Sequence, residues 1–243
     1  MEDINAMVHG AVEGGATDIL INEAHNTMIN IDARRLDPRV KFLSGFLKDI
    51  QHMTTLDSSF DAAFLFTHAM AGSKEGVLSH TLVGGIDSVR LNGTLVGEMG
   101  LNAALAGYYG VPVALVVGDE AVCQESRELL GDSVVNVATK KGVERFAAVC
   151  LTPAESQRLI REGSEEAVRR CKKIKPFIVE SPIELELRFS NTSVATVCSW
   201  IPHVELIDPK TIVIRHDDLK AASNVVVVCT LLTVSPWVTG GGY

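Results

Sequence analysis

The sequence predicts an α/β protein, with a largely parallel open sheet flanked by helices and a smaller C-terminal α+β portion. Three observations carry this. Ahead of Pro176, short apolar runs alternate with segments of helical periodicity, the pattern of parallel strands joined by crossover helices. Ala, Val, Leu and Gly are abundant while aromatic residues make up only 5% of the 243 residues, which suits closely packed layers. Beyond Pro176, "IELELRF" alternates strictly, as a half-exposed strand does.

Taken in order, Ile4, Met7, Val8, Ala11 and Val12 recur at helical spacing, and Gly14-Gly15 ends that helix. "DILIN" (Asp18 to Asn22) and Ala62 to Phe66 read as strands, the first of them buried. "DSVRLNGTLVG" carries two alternating stretches about Asn92-Gly93, a dipeptide that favours a type I′ turn, so it reads as a hairpin. "EMGLNAALAGYYG" follows as a helix of small residues, and Val111 to Asp119 as a strand. "SVVNVAT" is a further strand, and "TPAESQRLIREGSEEAVRRCKK" is a helix with Thr152 ahead of Pro153. "TIVIRHDD" and the apolar "VVVVCT", read as a strand, come last, before a Gly-rich tail "TVSPWVTGGGY" expected to be frayed. Residues 1–150 are expected to form the α/β core that carries the site. Residues 151–243 would complete the fold.

Composition narrows the function. A net charge of −8 without a basic cluster argues against nucleic acid as a partner. Cys123, Cys150, Cys171, Cys198 and Cys229 are widely spaced and form no CxxC pair, which fits a reducing cytoplasm better than a disulfide framework. "MEDINAMVHG" lacks the features of a signal peptide, and the apolar run Val225 to Leu232 is far short of the about 20 residues that span a membrane. Both features favour a cytoplasmic protein with no membrane partner.

In parallel sheets, chemistry collects where loops leave the carboxyl ends of strands. His25 follows "DILINEA" and His68 follows "AAFLFT", placements that would bring both imidazoles to one rim. Glu98 opens the small-residue helix. Two histidines and a carboxylate are a recurrent zinc ligand set. The plainer reading makes the histidines hydrogen-bonded loop residues and Glu98 an acid that complements a helix dipole. His9, His52, His203 and His216 read as surface or packing residues. "MAGSKEG", "VGGID" and "VLSHT" match neither the phosphate-binding glycine patterns nor the GxSxG elbow. Cys123 reads as a buried structural thiol rather than a nucleophile.

The block "LNGTLVGEMGLNAALAGYYGVPVALVVGDE" closely resembles the signature segment of the zinc-dependent D-aminopeptidase family. "NEAHNTM" and "THAMAGSKEGVLSHT" resemble its metal-binding and paired-histidine segments, and the likeness runs from Glu2 to about Leu232. The resemblance implies that His25, His68 and Glu98 bind one or two zinc ions and that His80 is the catalytic histidine beside them. It also implies release of N-terminal D-residues from short peptides or amino-acid amides, and a homo-oligomer of pentameric rings stacked into a decamer. Asn22, Asn102 and Asp119 would contact ligands or substrate, or serve as turn and cap residues. Glu23 and Asn26 stand where the family has Asp and Gly.

The family places a strand ending in Asp-x-Glu-Gly ahead of the helix with which this sequence opens, and no such motif occurs here. A second metal is therefore expected to be held poorly, unless Glu23, Asp119 or Glu120 substitutes or the "VVVVCT" strand fills the missing place. The alternative expectation is an inactive family member acting as an oligomeric binding protein.

Overall fold

A computed structural model describes residues 1–240. The chain opens with α1 (Glu2–Gly14), closed by Gly15 in the left-handed conformation. Next come β1 (Ile19–Asn22), β2 (Val40–Leu43) and β3 (Ala63–Phe66). The hairpin β4 (Ile86–Leu91) and β5 (Thr94–Val96) turns at Asn92 and Gly93, with φ of 47° and 80°, the positive pair that a type I′ turn requires. Helix α2 (Glu98–Tyr108), strand β6 (Val113–Asp119) and helix α3 (Glu120–Leu130) follow. Then come β7 (Val135–Glu144), β8 (Ala147–Cys150) and α4 (Pro153–Arg170). The last part comprises β9 (Ile183–Phe189), α5 (Thr192–Cys198), β10 (Val204–Asp208), β11 (Thr211–His216), α6 (Leu219–Thr233) and α7 (Pro236–Thr239). No helix among the described residues is long and apolar enough to cross a membrane.

The expected fold class holds: a mixed α/β protein whose parallel-rich sheets are flanked by helices. Its strands form three sheets among the described residues. In the order β3-β6-β7-β8, the first three strands run parallel and β8 is antiparallel. Every residue of β6 is buried, as expected for an interior parallel strand. The second sheet, β10-β11-β9-β4-β5, is antiparallel throughout. It joins the hairpin of residues 86–96 to the C-terminal strands, so the antiparallel portion is not confined to the C-terminal end. β9 pairs with β4 and α1 packs on α4, and both contacts cross the expected division at residue 150.

Two further expectations need correction. β1 pairs in parallel with β2 in a separate two-stranded sheet and is only half-buried, because neither strand joins the larger sheets. "VVVVCT" lies inside α6, not in a strand, so it fills no strand position. The Asp218 carboxylate accepts from the Ala221 N–H at the helix start, while Thr230 and Thr233 hydroxyls bond back to the carbonyls of Val226 and Cys229. Of the Gly-rich tail, Pro236–Thr239 is helical and residues 241–243 lie outside the described residues.

Candidate metal centre

His68 leaves the end of β3 two residues after Phe66 and turns toward the start of α2. A glycine permits the approach: a Cβ at Gly97 would stand 2.7 Å from the Met70 Cβ. Glu98, the first residue of α2, turns its carboxylate inward, and the Leu82 N–H donates to Oε1 at 2.8 Å. His80 lies between Leu78 and Leu82, both at positive φ (54° and 63°), a conformation that costs about 1–3 kcal/mol at each non-glycine position. Tertiary contacts hold that segment in place. Val77 N–H donates to Asp119 Oδ2 (2.7 Å), Leu78 N–H to the Arg145 carbonyl (2.7 Å), and Arg145 Nε to the Ser79 carbonyl (3.1 Å).

The two rings stack at 3.9 Å between centroids, 16° from parallel. Their Nε2 atoms stand 3.3 Å (His68) and 3.7 Å (His80) from Glu98 Oε1, and one ligand atom from each of the three residues lies within 4.8 Å of the others. Each Nδ1 faces a carbonyl, Ala69 O at 3.1 Å and Leu78 O at 2.7 Å, so each carries its proton there. The Nε2 lone pairs are thereby aimed at a carboxylate, an arrangement that calls for a cation among them. Two ligands of one tetrahedral zinc, each about 2.0–2.2 Å from the ion, stand about 3.4 Å apart. The 3.3 Å between His68 Nε2 and Glu98 Oε1 matches that spacing, and imidazole with carboxylate is donor chemistry zinc takes, so the residues present fit the metal.

Electrostatics agree. Burial works against ionised Glu98, yet the bond to His68 and the fields of His52, His68 and His80 outweigh it and bring its pKa down to about 2. Burial likewise opposes a charge on His68, and Glu98 overcomes it, raising the pKa. His80 shifts the other way, with burial as the largest cause and the neighbouring His68 and Arg145 adding to it. Behind His68, Glu125 accepts from the Met70 N–H at 3.0 Å; burial pushes its carboxyl up to about 7.

The structure thus brings His68, His80 and Glu98 together and leaves His25 apart. His25 is exposed on the turn after β1, where its carbonyl accepts from Met28 N–H and Asn30 Nδ2. Because β1 lies outside the sheet that holds β3, the two strand-end histidines do not share a rim. Glu23 is buried with Oε1 on the Asn30 and Ile31 N–H groups, and Glu120 pairs with Lys141 at 3.3 Å. Asp119 caps α3 through the Val122 N–H and tethers Val77. None of these three belongs to the His68, His80 and Glu98 cluster.

Asn22 donates to the His52 carbonyl (2.6 Å), and Asn102 Nδ2 stands 3.2 Å from His52 Nδ1. His52, expected at the surface or in packing, reaches the centre with Nδ1 3.6 Å from Glu98 Oε2. It sits in a short 3₁₀ turn, Gln51–Met53, without periodicity to mark it. His9 pairs with Asp37, and His216 accepts from the Asp218 N–H. Cys123 is buried with its thiol pushed up to about 11, as a structural cysteine is.

Known proteins place this geometry in context. A family model described as D-aminopeptidase matches residues 1–228. A D-aminopeptidase of Bacillus subtilis is 34% identical over 235 residues, covering 96% of this chain and 85% of that protein. The solved structure of the Zn-dependent D-aminopeptidase DppA from Bacillus subtilis, described as a self-compartmentalizing protease, superposes with a TM-score of 0.91 at 34% identity. That match covers 96% of this chain and 85% of the other. With its fold, its His-His-Glu cluster and a match over nearly its whole length, the chain belongs to the D-aminopeptidase family.

Proposed function

We propose that this chain is a metal-dependent aminopeptidase that releases N-terminal D-amino acids from short peptides or amino-acid amides, with zinc as its metal. The observation that carries this is the convergence of the His68 and His80 Nε2 atoms on the Glu98 carboxylate, in a chain of the D-aminopeptidase family. His68 and Glu98 would hold the metal. His25 is the further ligand the resemblance implies. When bound, zinc supplies Lewis-acid polarisation of the scissile carbonyl and a water acidic enough to attack it at neutral pH.

His80 acts as the proton carrier. Its Nδ1–H is fixed on the Leu78 carbonyl, so the exchangeable position is Nε2, on the side facing Glu98. Burial lowers its pKa, which keeps Nε2 free to accept a proton at neutral pH and to pass it to the departing amine. The stacked His68 ring holds the His80 ring in plane, and Asp119 and Arg145 fix the loop beneath it.

The relative's description as self-compartmentalizing supports a homo-oligomer, with the pentamer or decamer that the resemblance implies. An acidic chain with five free cysteines suits a cytoplasmic setting. The deciding experiment is hydrolysis of D- and L-alanine amides by zinc-loaded protein, alongside Glu98→Ala and His68→Ala. The expected result is turnover of the D-amide that both variants lose together with bound zinc. Folded, zinc-loaded wild-type protein that turns over neither amide would sink the proposal.

A further inference from the structure

The two oxygens of Glu98 have different neighbours. Oε1 faces His68, His80 and the Leu82 N–H, whereas Oε2 faces His52. The His52 and Glu98 side chains are 13% and 12% exposed, so little water reaches the contact. Separate parts of the fold hold His52 there. Ile50, at φ 38°, donates its N–H to Asn224 Oδ1 on α6 (2.9 Å), and the His52 carbonyl accepts from Asn22 Nδ2 at the end of β1 (2.6 Å). Lys48 Nζ donates in turn to Asn22 Oδ1 (2.7 Å) and to the Glu23 carbonyl (2.6 Å). On α2, Asn102 lies one turn beyond Glu98 and meets His52 Nδ1 at 3.2 Å.

A bare nitrogen lone pair 3.6 Å from a buried carboxylate oxygen would be repelled, so Nδ1 presents its N–H to Oε2. The Asn102 amide then turns its oxygen to the same proton, an orientation indistinguishable in shape from the reverse. We infer that His52 is a positioning residue for the metal centre: it holds Glu98 by Oε2 in the orientation that presents Oε1 between His68 and His80. A carboxylate ligand left free to rotate about its terminal bond must be ordered each time metal binds. Groups that pre-order a ligand in this way are typically worth 10–100-fold in metal affinity.

This rests on the metal-centre reading, and the test separates the two. His52→Leu keeps the bulk without the N–H; His52→Asn places an amide N–H where Nδ1 stands. Zinc dissociation constants would be measured by chelator competition, cobalt(II) visible spectra recorded on the loaded proteins, and unfolding midpoints taken on the metal-free forms. His52→Leu is expected to weaken zinc binding 10–100-fold and alter the cobalt spectrum, with the metal-free midpoint unchanged. His52→Asn should recover most of the affinity and the wild-type spectrum. Equal zinc affinity in wild type and His52→Leu overturns this inference alone, as does equal loss in both variants. Wild-type protein that binds no zinc overturns the metal-centre reading and this inference with it.

Discussion

A histidine whose Nδ1 proton is given to a carbonyl has only its Nε2 lone pair left to offer, and His68 and His80 are both in that state. Glu98 stands beside both, and the bond to His68 with the fields of His52, His68 and His80 overcomes burial to bring its pKa to about 2 against an ordinary 4.5, with a consequence for stability. Because the folded-state pKa lies below the unfolded one, the contribution is fully present above about pH 4.5 and disappears as pH falls toward 2. In metal-free protein, the difference in unfolding free energy between wild type and Glu98→Gln should be largest between about pH 4.5 and the titration of His68, whose pKa Glu98 raises, and shrink on either side. Urea titrations from pH 7 to 2.5 would measure it; a difference that stays constant throughout would refute this account of Glu98. His68, His80 and Glu98 were legible in the sequence because each lies beside an element boundary or in a quoted motif. His52 was not. Its short 3₁₀ turn has no period to read, and its nearness to Glu98 arises from Asn22 and Asn224, which are 30 and 172 residues away in sequence. The sheet that carries His25 was not legible either: nothing in "DILIN" says which sheet it joins.

Elements were read best where turn chemistry and burial agree. Asn92-Gly93 specified its hairpin, and the apolar run Val113 to Val117 of β6 its interior position. Reading failed where tertiary packing overrode local preference, as in α6, whose run of four valines has the composition of a strand. Helix α3 went unread; its start depends on one oxygen of Asp119, the last residue of β6, which accepts from the Val122 N–H. Close helix contact is equally hidden. On α1, Gly10 faces the Arg161 backbone of α4, and a Cβ there would stand 2.0 Å from the Arg161 carbonyl oxygen. Backbone cannot yield as a side-chain tip does, so Gly10→Ala should force the helices apart at a cost of about 1–3 kcal/mol. For a domain of this size, each kcal/mol lowers the unfolding midpoint by about 2–4 °C. Neither helix supplies a residue to the centre, so zinc affinity should stay at the wild-type value. Calorimetry and chelator competition on the same sample would check both halves, and an unchanged midpoint would show that the helices have room to spare.

At the scale of the whole molecule, the centre draws its residues from elements of two sheets that share one buried core. His68 follows β3 of the parallel-rich sheet, Glu98 follows β5 of the antiparallel sheet, and His80 belongs to the loop between them. Without a cation, the two imidazole lone pairs and the carboxylate face one another at 3.3–3.7 Å, and relief comes from protonation or from separation of the two sheets. His68 and Glu98, brought together only in the folded chain, should therefore make metal binding a global stabiliser, since an unfolded chain has no such pair to offer. At free zinc about 100-fold above the dissociation constant, linkage gives about 2.7 kcal/mol, or roughly 5–10 °C in the midpoint for a chain of this length. The rise should reverse on chelation and vanish in His68→Ala, whose metal-free midpoint serves as its own reference. Scanning calorimetry with and without zinc measures it directly. A rise of the same size in His68→Ala would place the stabilising metal elsewhere in the molecule, and no rise in wild type would mean that His68 and Glu98 do not close on zinc at all.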